Sequence, residues 1–148
     1  TLPAYLVTRK PAGLSMEEAA SAPMGTVMAW GAVVEVAKVE GGQAVLIHGA
    51  AGGIGSYATQ LSHWKKAFVI GVTSKANLEF VKSLGAQLVI DYNEAPFETV
   101  VQDVDVVIDT VGGETGVRAL QCLRPGGIYV TAAGQPPPAA PQPPTLRP

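Results

Sequence analysis

Charge and sulfur are both scarce in this sequence, and each shortage closes a class of function. Only 15% of the 148 residues are charged, and 12 acidic against 10 basic residues leave a net charge of −2. That balance offers no basic field for nucleic acid or an anionic membrane, so any bound anion must be caught locally. The single cysteine, Cys122, excludes an intramolecular disulfide and a multi-cysteine zinc centre within this chain. Its apolar, helical context predicts a buried and inert thiol. No uninterrupted apolar run approaches membrane-spanning length and the N-terminus has no signal-peptide pattern, which predicts a cytoplasmic location. Catalytic signatures are missing too. There is no Gly-Lys-Ser/Thr of a phosphate loop and no Gly-x-Ser-x-Gly elbow.

What is present is apolar and rich in glycine. Apolar residues make up 47% of the chain and glycines number 17, a composition that suits one globular domain or part of a larger protein. The first residue is Thr1 rather than Met, from which we expect sequence upstream. The chain is organised around Ala44 to Gly55, AVLIHGAAGGIG. An apolar run, Ala44 to Ile47, stops at glycines, and a helical pattern begins beyond Ile54. That is a strand, a tight turn and a helix start. Gly49, Gly52, Gly53 and Gly55 clear side chains from a place where backbone must come close to something. The N–H groups opening the next helix lack partners within it, and the helix dipole favours negative charge, so a phosphate is the natural occupant.

The rest of the chain alternates strands and helices. Ser15 and Glu18 have capping-box spacing, predicting a helix from Met16 that Pro23 interrupts. A second helix, about Met24 to Lys38, is apolar enough to pack between layers, with Met28 and Trp30 in the core. After the glycine turn we expect a helix from about Ile54 to Lys65, a strand from Ala67 to Thr73, and a helix from Asn77 to Leu84 stopped by Gly85. A strand from Gln87 to Ile90, a weak helix from Phe97 to Gln102 and a strand from Val104 to Asp109 follow. The last elements are a helix from Gly116 to Leu123, a turn at Pro125-Gly126 and a strand from Gly127 to Ala132. Nearly continuous apolar strands alternating with helices predict an α/β fold, a doubly wound, Rossmann-like parallel sheet in the order 3-2-1-4-5. From Gln135 onward QPPPAAPQPPTLRP holds seven of the twelve prolines, which predicts an extended or disordered tail.

Two templates fit the glycine turn. Ala50-x-Gly52-x-x-Gly55 matches the dinucleotide fingerprint, and Gly49-x-x-x-Gly53-x-Gly55 matches a short-chain reductase spacing. The second needs Tyr-x-x-x-Lys, but Tyr57 and Tyr129 are followed at that offset by Leu61 and Ala133. The end of the second strand then distinguishes the nucleotides. A carboxylate there holds the ribose of NAD, whereas Thr73-Ser74-Lys75 offers a hydroxyl and an ammonium that suit a 2′-phosphate. Each charge-assisted bond contributes about 1.5–3 kcal/mol, so NADP(H) is the expected cofactor. The plainer alternative is that Ser74 caps the next helix while Lys75 is solvated. His48 has no acid partner nearby in sequence and reads as a structural histidine; His63 reads as surface. Asp103, Asp105 and Asp109 alternate along a valine-rich strand and do not suggest a metal site.

Taken together, HGAAGGIG, SLGAQLVIDY, VDVVIDTVGG and LRPGG resemble the nucleotide-binding domain of zinc-independent medium-chain dehydrogenases/reductases, in the quinone oxidoreductase (zeta-crystallin-like) branch. The resemblance covers about Ala4 to Gly134. It implies that Ala50, Gly52, Gly53, Ile54 and Gly55 cradle a pyrophosphate. Ser74, Lys75 and Tyr92 would surround the adenosine 2′-phosphate, and Val111, Gly112, Gly113, Ala133 and Gly134 would lie along the nicotinamide side. Met28 and Asn77 depart from the family pattern, in which Thr and Lys are common at those positions. The implied organisation is a remnant of a catalytic domain at 1–14, the NADP-binding domain at 15–134 without a sixth strand, and the Pro-rich tail at 135–148. The implied activity is hydride transfer from NADPH to a quinone or an activated enone, with no metal and with catalytic residues outside this chain. The partner would be that small molecule; at the exposed fifth-strand edge we expect a second copy in an unusual homodimer, a covering tail, or poor solubility. A cofactor-binding fragment without turnover and an enoyl-reductase module of a larger synthase are the alternatives.

Overall fold

The computed structural model describes residues 7–135 together with Pro3 and Pro137. The extended stretch expected at Ala4 to Thr8 therefore lies mostly outside the described residues, as does nearly all of the Pro-rich tail.

Ser15 opens α1 (Met16–Trp30) with a full capping box: its hydroxyl accepts from the Glu18 N–H and the Glu18 carboxylate accepts from the Ser15 N–H. The expected break at Pro23 does not occur; α1 runs through it. A proline in a helix interior costs about 3 kcal/mol through its missing N–H and its ring, yet packing on the C-terminal side compensates. Gly25 seats α1 on the following helix so closely that a Cβ there would stand 2.2 Å from the Gly53 carbonyl oxygen and 2.8 Å from Tyr57 Cδ2. Beyond Trp30 the helix widens into a π-helical stretch, Gly31–Val36, closed by Ala37 N–H donating to Ala32 O at 2.9 Å.

The assignment of Met28 and Trp30 to the core is also corrected. They are 39% and 42% exposed, and the buried stripe is instead Gly25, Ala29, Ala32 and Val33. Small residues let α1 approach the sheet layer, and the bulky ones turn outward. Trp30 stacks on Trp64, ring centroids 6.4 Å apart.

The sheet has five parallel strands in the order β3-β2-β1-β4-β5, as the sequence pattern predicts. They are β1 (Ala44–His48), β2 (Phe68–Thr73), β3 (Leu88–Asp91), β4 (Val104–Asp109) and β5 (Leu123–Thr131). The covering helices are α2 (Gly55–Trp64), α3 (Leu78–Ser83), α4 (Phe97–Val100) and α5 (Gly113–Leu120). β1 is the central strand, paired with β2 and β4, and Val45, Leu46 and Ile47 are fully buried. One face of the sheet packs Val45, Ile47, Val69, Val106 and Ile108 against α1 and α2; the other packs Leu46, Val72, Val107, Phe97 and Ala119. Each fully buried aliphatic side chain contributes about 1.5–3 kcal/mol, which explains why both faces tolerate so few polar residues.

The last turn of sequence before β5 differs from expectation. The helix stops at Leu120, three residues short of Leu123, and Pro125-Gly126 lies inside β5 rather than before it. Val104 pairs with Leu123 but Val106 with Ile128, so the proline and glycines form a wide bulge. Asp105 anchors that bulge: its carboxylate accepts from Arg124 at 2.7 Å and from the Ala44 N–H at 2.8 Å. Among the described residues no helix is long and apolar enough to cross a membrane.

Candidate functional site

The carboxyl ends of β1, β2 and β4 open onto one cavity of about 550 Å³. This is where ligands bind in open α/β sheets, at the point where strand order reverses. Its wall includes Gly49, Gly52, Ser74, Asn77, Tyr92, Val111 and Arg118.

The glycine turn forms one side. Gly49 has φ of +82°, and a Cβ there would meet Thr110 Oγ1 at 2.4 Å, so only glycine passes between β1 and β4. The turn is tied to its neighbour by Gly49 and Ala50 N–H groups, both donating to Val72 O, and closed by Gly52 N–H donating to Gly49 O at 2.9 Å. Gly55 lets α2 start against the strand end: a Cβ there would lie 2.1 Å from Gly49 O. Gly52 is different. A Cβ at Gly52 would meet nothing nearer than Gly49 O at 3.2 Å, and its free side lies on the cavity wall. The N–H groups of Gly53, Ile54 and Gly55, at the N-terminus of α2, find no acceptor among the described residues.

Of the residues expected to form the site, Gly52, Ser74, Tyr92 and Val111 share the cavity wall. Ala50 is buried behind the turn, with Gly53, Ile54 and Gly55 continuing into α2. Parallel pairing of Thr73 with Asp91 brings Tyr92 beside Ser74, with Tyr92 N–H donating to Thr73 O at 3.1 Å. Ser74 makes no side-chain cap; its hydroxyl accepts from Asn77 Nδ2 at 3.1 Å. Lys75 is not on the wall. Its ammonium pairs with Glu94 at 2.9 Å in an exposed position, and the Glu94 hydrogen bond and charge raise the lysine pKa. Gly112 carries φ of +73° and packs against Ala133, leaving 3.0 Å between a would-be Cβ and the Ala133 Cβ. Gly113 starts α5, and Gly134 follows Ala133 with φ of +107°.

Two features of the site were not legible in the sequence. Arg118 is, among the described wall residues, the only Lys or Arg; it forks onto Glu98 at 2.6 and 2.8 Å and lies over the Phe97 ring. The second is a buried polar network. His48 and Asp109 are register partners at the ends of β1 and β4, and His48 Nδ1 lies 2.9 Å from Asp109 Oδ1. Asp109 also accepts from Tyr129 OH at 2.5 Å and from the Val111 and Gly112 N–H groups at 3.0 Å. Burial pushes its carboxyl upward, but the hydrogen bonds from His48, Tyr129, Gly112 and Val111 outweigh burial and hold it well below the usual carboxylate range. Burial first, then the Asp109 contact, raises the Tyr129 phenol. Cys122 is buried, as its context predicts, and burial with the nearby Glu98 charge pushes its thiol up to about 11.

This fold and this glycine turn define a Rossmann-like α/β unit. Within that class the chain belongs to the family described as "Zinc-binding dehydrogenase", whose model matches residues 53–147. It is 39% identical to the 2-methylene-furan-3-one reductase of Solanum lycopersicum, over 87% of this chain and 33% of that protein. It is 37% identical to the mitochondrial NAD(P)H oxidoreductase RTN4IP1 of Bos taurus, over 84% of this chain and 34% of that one. A stretch of the Streptomyces halstedii polyketide synthase GfsB is 34% identical over 84% of this chain, but only 2% of the synthase. Among solved structures, the quinone oxidoreductase of Coxiella burnetii superposes with a TM-score of 0.80 at 41% identity, covering 84% of this chain and 39% of that one. The chain thus spans about a third of the length of the reductases it matches. The family description mentions zinc, but among the described residues no three His, Cys, Asp or Glu side chains come together as a ligand set.

Proposed function

We propose that this chain is the cofactor-binding unit of an NADPH-dependent oxidoreductase of the quinone and enone reductase type. The observation that carries the reading is Gly52: it stands at the β1–α2 turn on the cavity wall, where a Cβ would meet Gly49 O at 3.2 Å and, within 4 Å, nothing else. Backbone there is free to approach a pyrophosphate, and the N–H groups that open α2 would hold it, with Ala50, Gly53, Ile54 and Gly55 shaping the turn. Ser74 and Tyr92, with Lys75 at the rim, would take the adenosine 2′-phosphate, for which Lys75 would exchange its exposed Glu94 partner. Val111, Gly112, Gly113, Ala133 and Gly134 would lie along the nicotinamide.

Bound nicotinamide supplies the hydride and carries the hard chemistry, while the protein orients it. The acceptor would be a quinone or an activated enone, as the names of the tomato and Coxiella relatives suggest for those proteins. The substrate pocket would form against sequence beyond this chain, in keeping with relatives three times as long. A cytoplasmic location and pairing of two copies along the free edge of β5 belong to the same proposal. The polyketide synthase match favours a second reading, an enoyl-reductase module inside a larger synthase; flanking acyl-carrier or ketosynthase sequence would establish it.

The test is Gly52→Val. A branched side chain should fill the space needed by the phosphates, with the Gly49 carbonyl giving by a few tenths of an ångström to admit its Cβ. NADPH fluorescence titration should show binding lost and circular dichroism an unchanged fold. Retained affinity would sink the phosphate-cradle reading.

A further inference from the structure

His48 is the polar side chain of the cavity wall with the most constrained surroundings, and the glycine-turn motif gives it no role. It is 4% exposed, at the end of the central strand, yet it reaches the cavity beside Gly52, Thr110 and Val111. One face of its ring packs against Phe97, ring centroids 5.2 Å apart. Its Nδ1 meets Asp109, whose carboxylate is fully buried and already accepts from Tyr129 and two backbone N–H groups. An ionised carboxylate can only accept, so the ring proton of the neutral imidazole must sit on Nδ1. In that neutral form Nε2 is a lone pair, with no protein partner among the described residues. It is not sealed off either: among the described residues the one fully buried side-chain N or O atom without a partner is Ser62 Oγ. A preset acceptor, on a ring held between Asp109 and Phe97, faces the cavity.

We infer that His48 Nε2 is a cofactor-contacting hydrogen-bond acceptor for a ribose hydroxyl of the bound dinucleotide, with Asp109 as the positioning residue that fixes its tautomer and direction. This rests on the dinucleotide reading above. The ligand group must be a donor without negative charge, because Nε2 of the neutral ring offers only a lone pair; a hydroxyl meets that requirement and a phosphate oxygen does not. Asp109 serves both neighbours at once, since the same carboxylate holds the Val111 and Gly112 N–H groups of the adjoining loop.

The probe is NADPH itself, added to the full chain. Nitrogen-15 NMR of the imidazole should show Nδ1 protonated and Nε2 bare, with the Nε2 resonance shifting upfield as NADPH is added. His48→Asn places an amide nitrogen where Nδ1 stands and removes Nε2; it should fold normally and weaken NADPH binding about 5- to 10-fold, the range of one hydrogen bond. His48→Gln, which reaches the Nε2 position, should recover most of the affinity. If wild type binds NADPH but His48→Asn binds it equally well, or the Nε2 signal does not move, the inference is overturned and the cofactor reading survives. If wild type binds neither NADPH nor NADH, the cofactor reading fails and takes the ribose contact with it.

Discussion

At the scale of single residues, Asp109 is the most consequential group that pattern reading undervalued. Its charge is held by four donors from three places in the chain, the nearest only two residues away and the farthest 61. Because its folded pKa is depressed, the stability it contributes is complete above the ordinary carboxylate value of 3.8 and is lost as pH falls from there towards the folded value. The melting temperature of the wild-type chain should therefore drop as pH is lowered from about 4 to 2. Asp109→Asn should cost about 3–5 kcal/mol at neutral pH, since it leaves donors facing an amide, and should flatten that pH dependence. A variant melting curve as steep in acid as the wild type would show that other carboxylates set the slope. Lys75 is a different case: a residue expected to meet a phosphate is held in an exposed pair with Glu94, and such pairs are worth little and exchange readily.

At the scale of elements, helix α1 is where local rules lost to packing. Its capping box set the start as expected, but neither Pro23 nor the outward tryptophan follows from local preference. Both follow from the contact with α2, where Gly25 meets Gly53 and Tyr57. Gly25→Ala should destabilise the chain by about 1–3 kcal/mol in urea unfolding, because the new methyl cannot coexist with the Gly53 carbonyl without a shift. The same substitution should weaken NADPH binding, since Gly53 belongs to the turn. A fully stable Gly25→Ala variant would mean that α1 can slide on α2. The β5 bulge is a second case: Pro125-Gly126 signals a turn in isolation, and pairing with β4 turns it into an interruption within a strand.

For the whole molecule, the site is assembled from the ends of separate elements, so ligand and fold should be coupled. A dinucleotide at 100 times its dissociation constant should stabilise the chain by about 2.7 kcal/mol, read as a thermal shift. NADPH should shift the melting temperature more than NADH at equal concentration, and Lys75→Ala should narrow the difference. Equal shifts for the two nucleotides would remove the 2′-phosphate assignment while leaving the pyrophosphate cradle in place.

The sequence by itself determined the alternation of strands and helices, the glycine turn and the start of α1, because each depends on short-range physics. Apolar runs make buried strands, glycines permit a close turn, and a hydroxyl three residues from a carboxylate caps a helix. Only the tertiary structure decided which groups share the cavity. Parallel pairing of β1 with β4 sets His48 against Asp109, and pairing of β2 with β3 sets Tyr92 beside Ser74. Packing also sends Trp30 outward and keeps Arg118 on the wall. These outcomes were illegible for one physical reason: a contact between residues far apart in the chain is chosen by the register and layering of whole elements, and no local pattern records that choice.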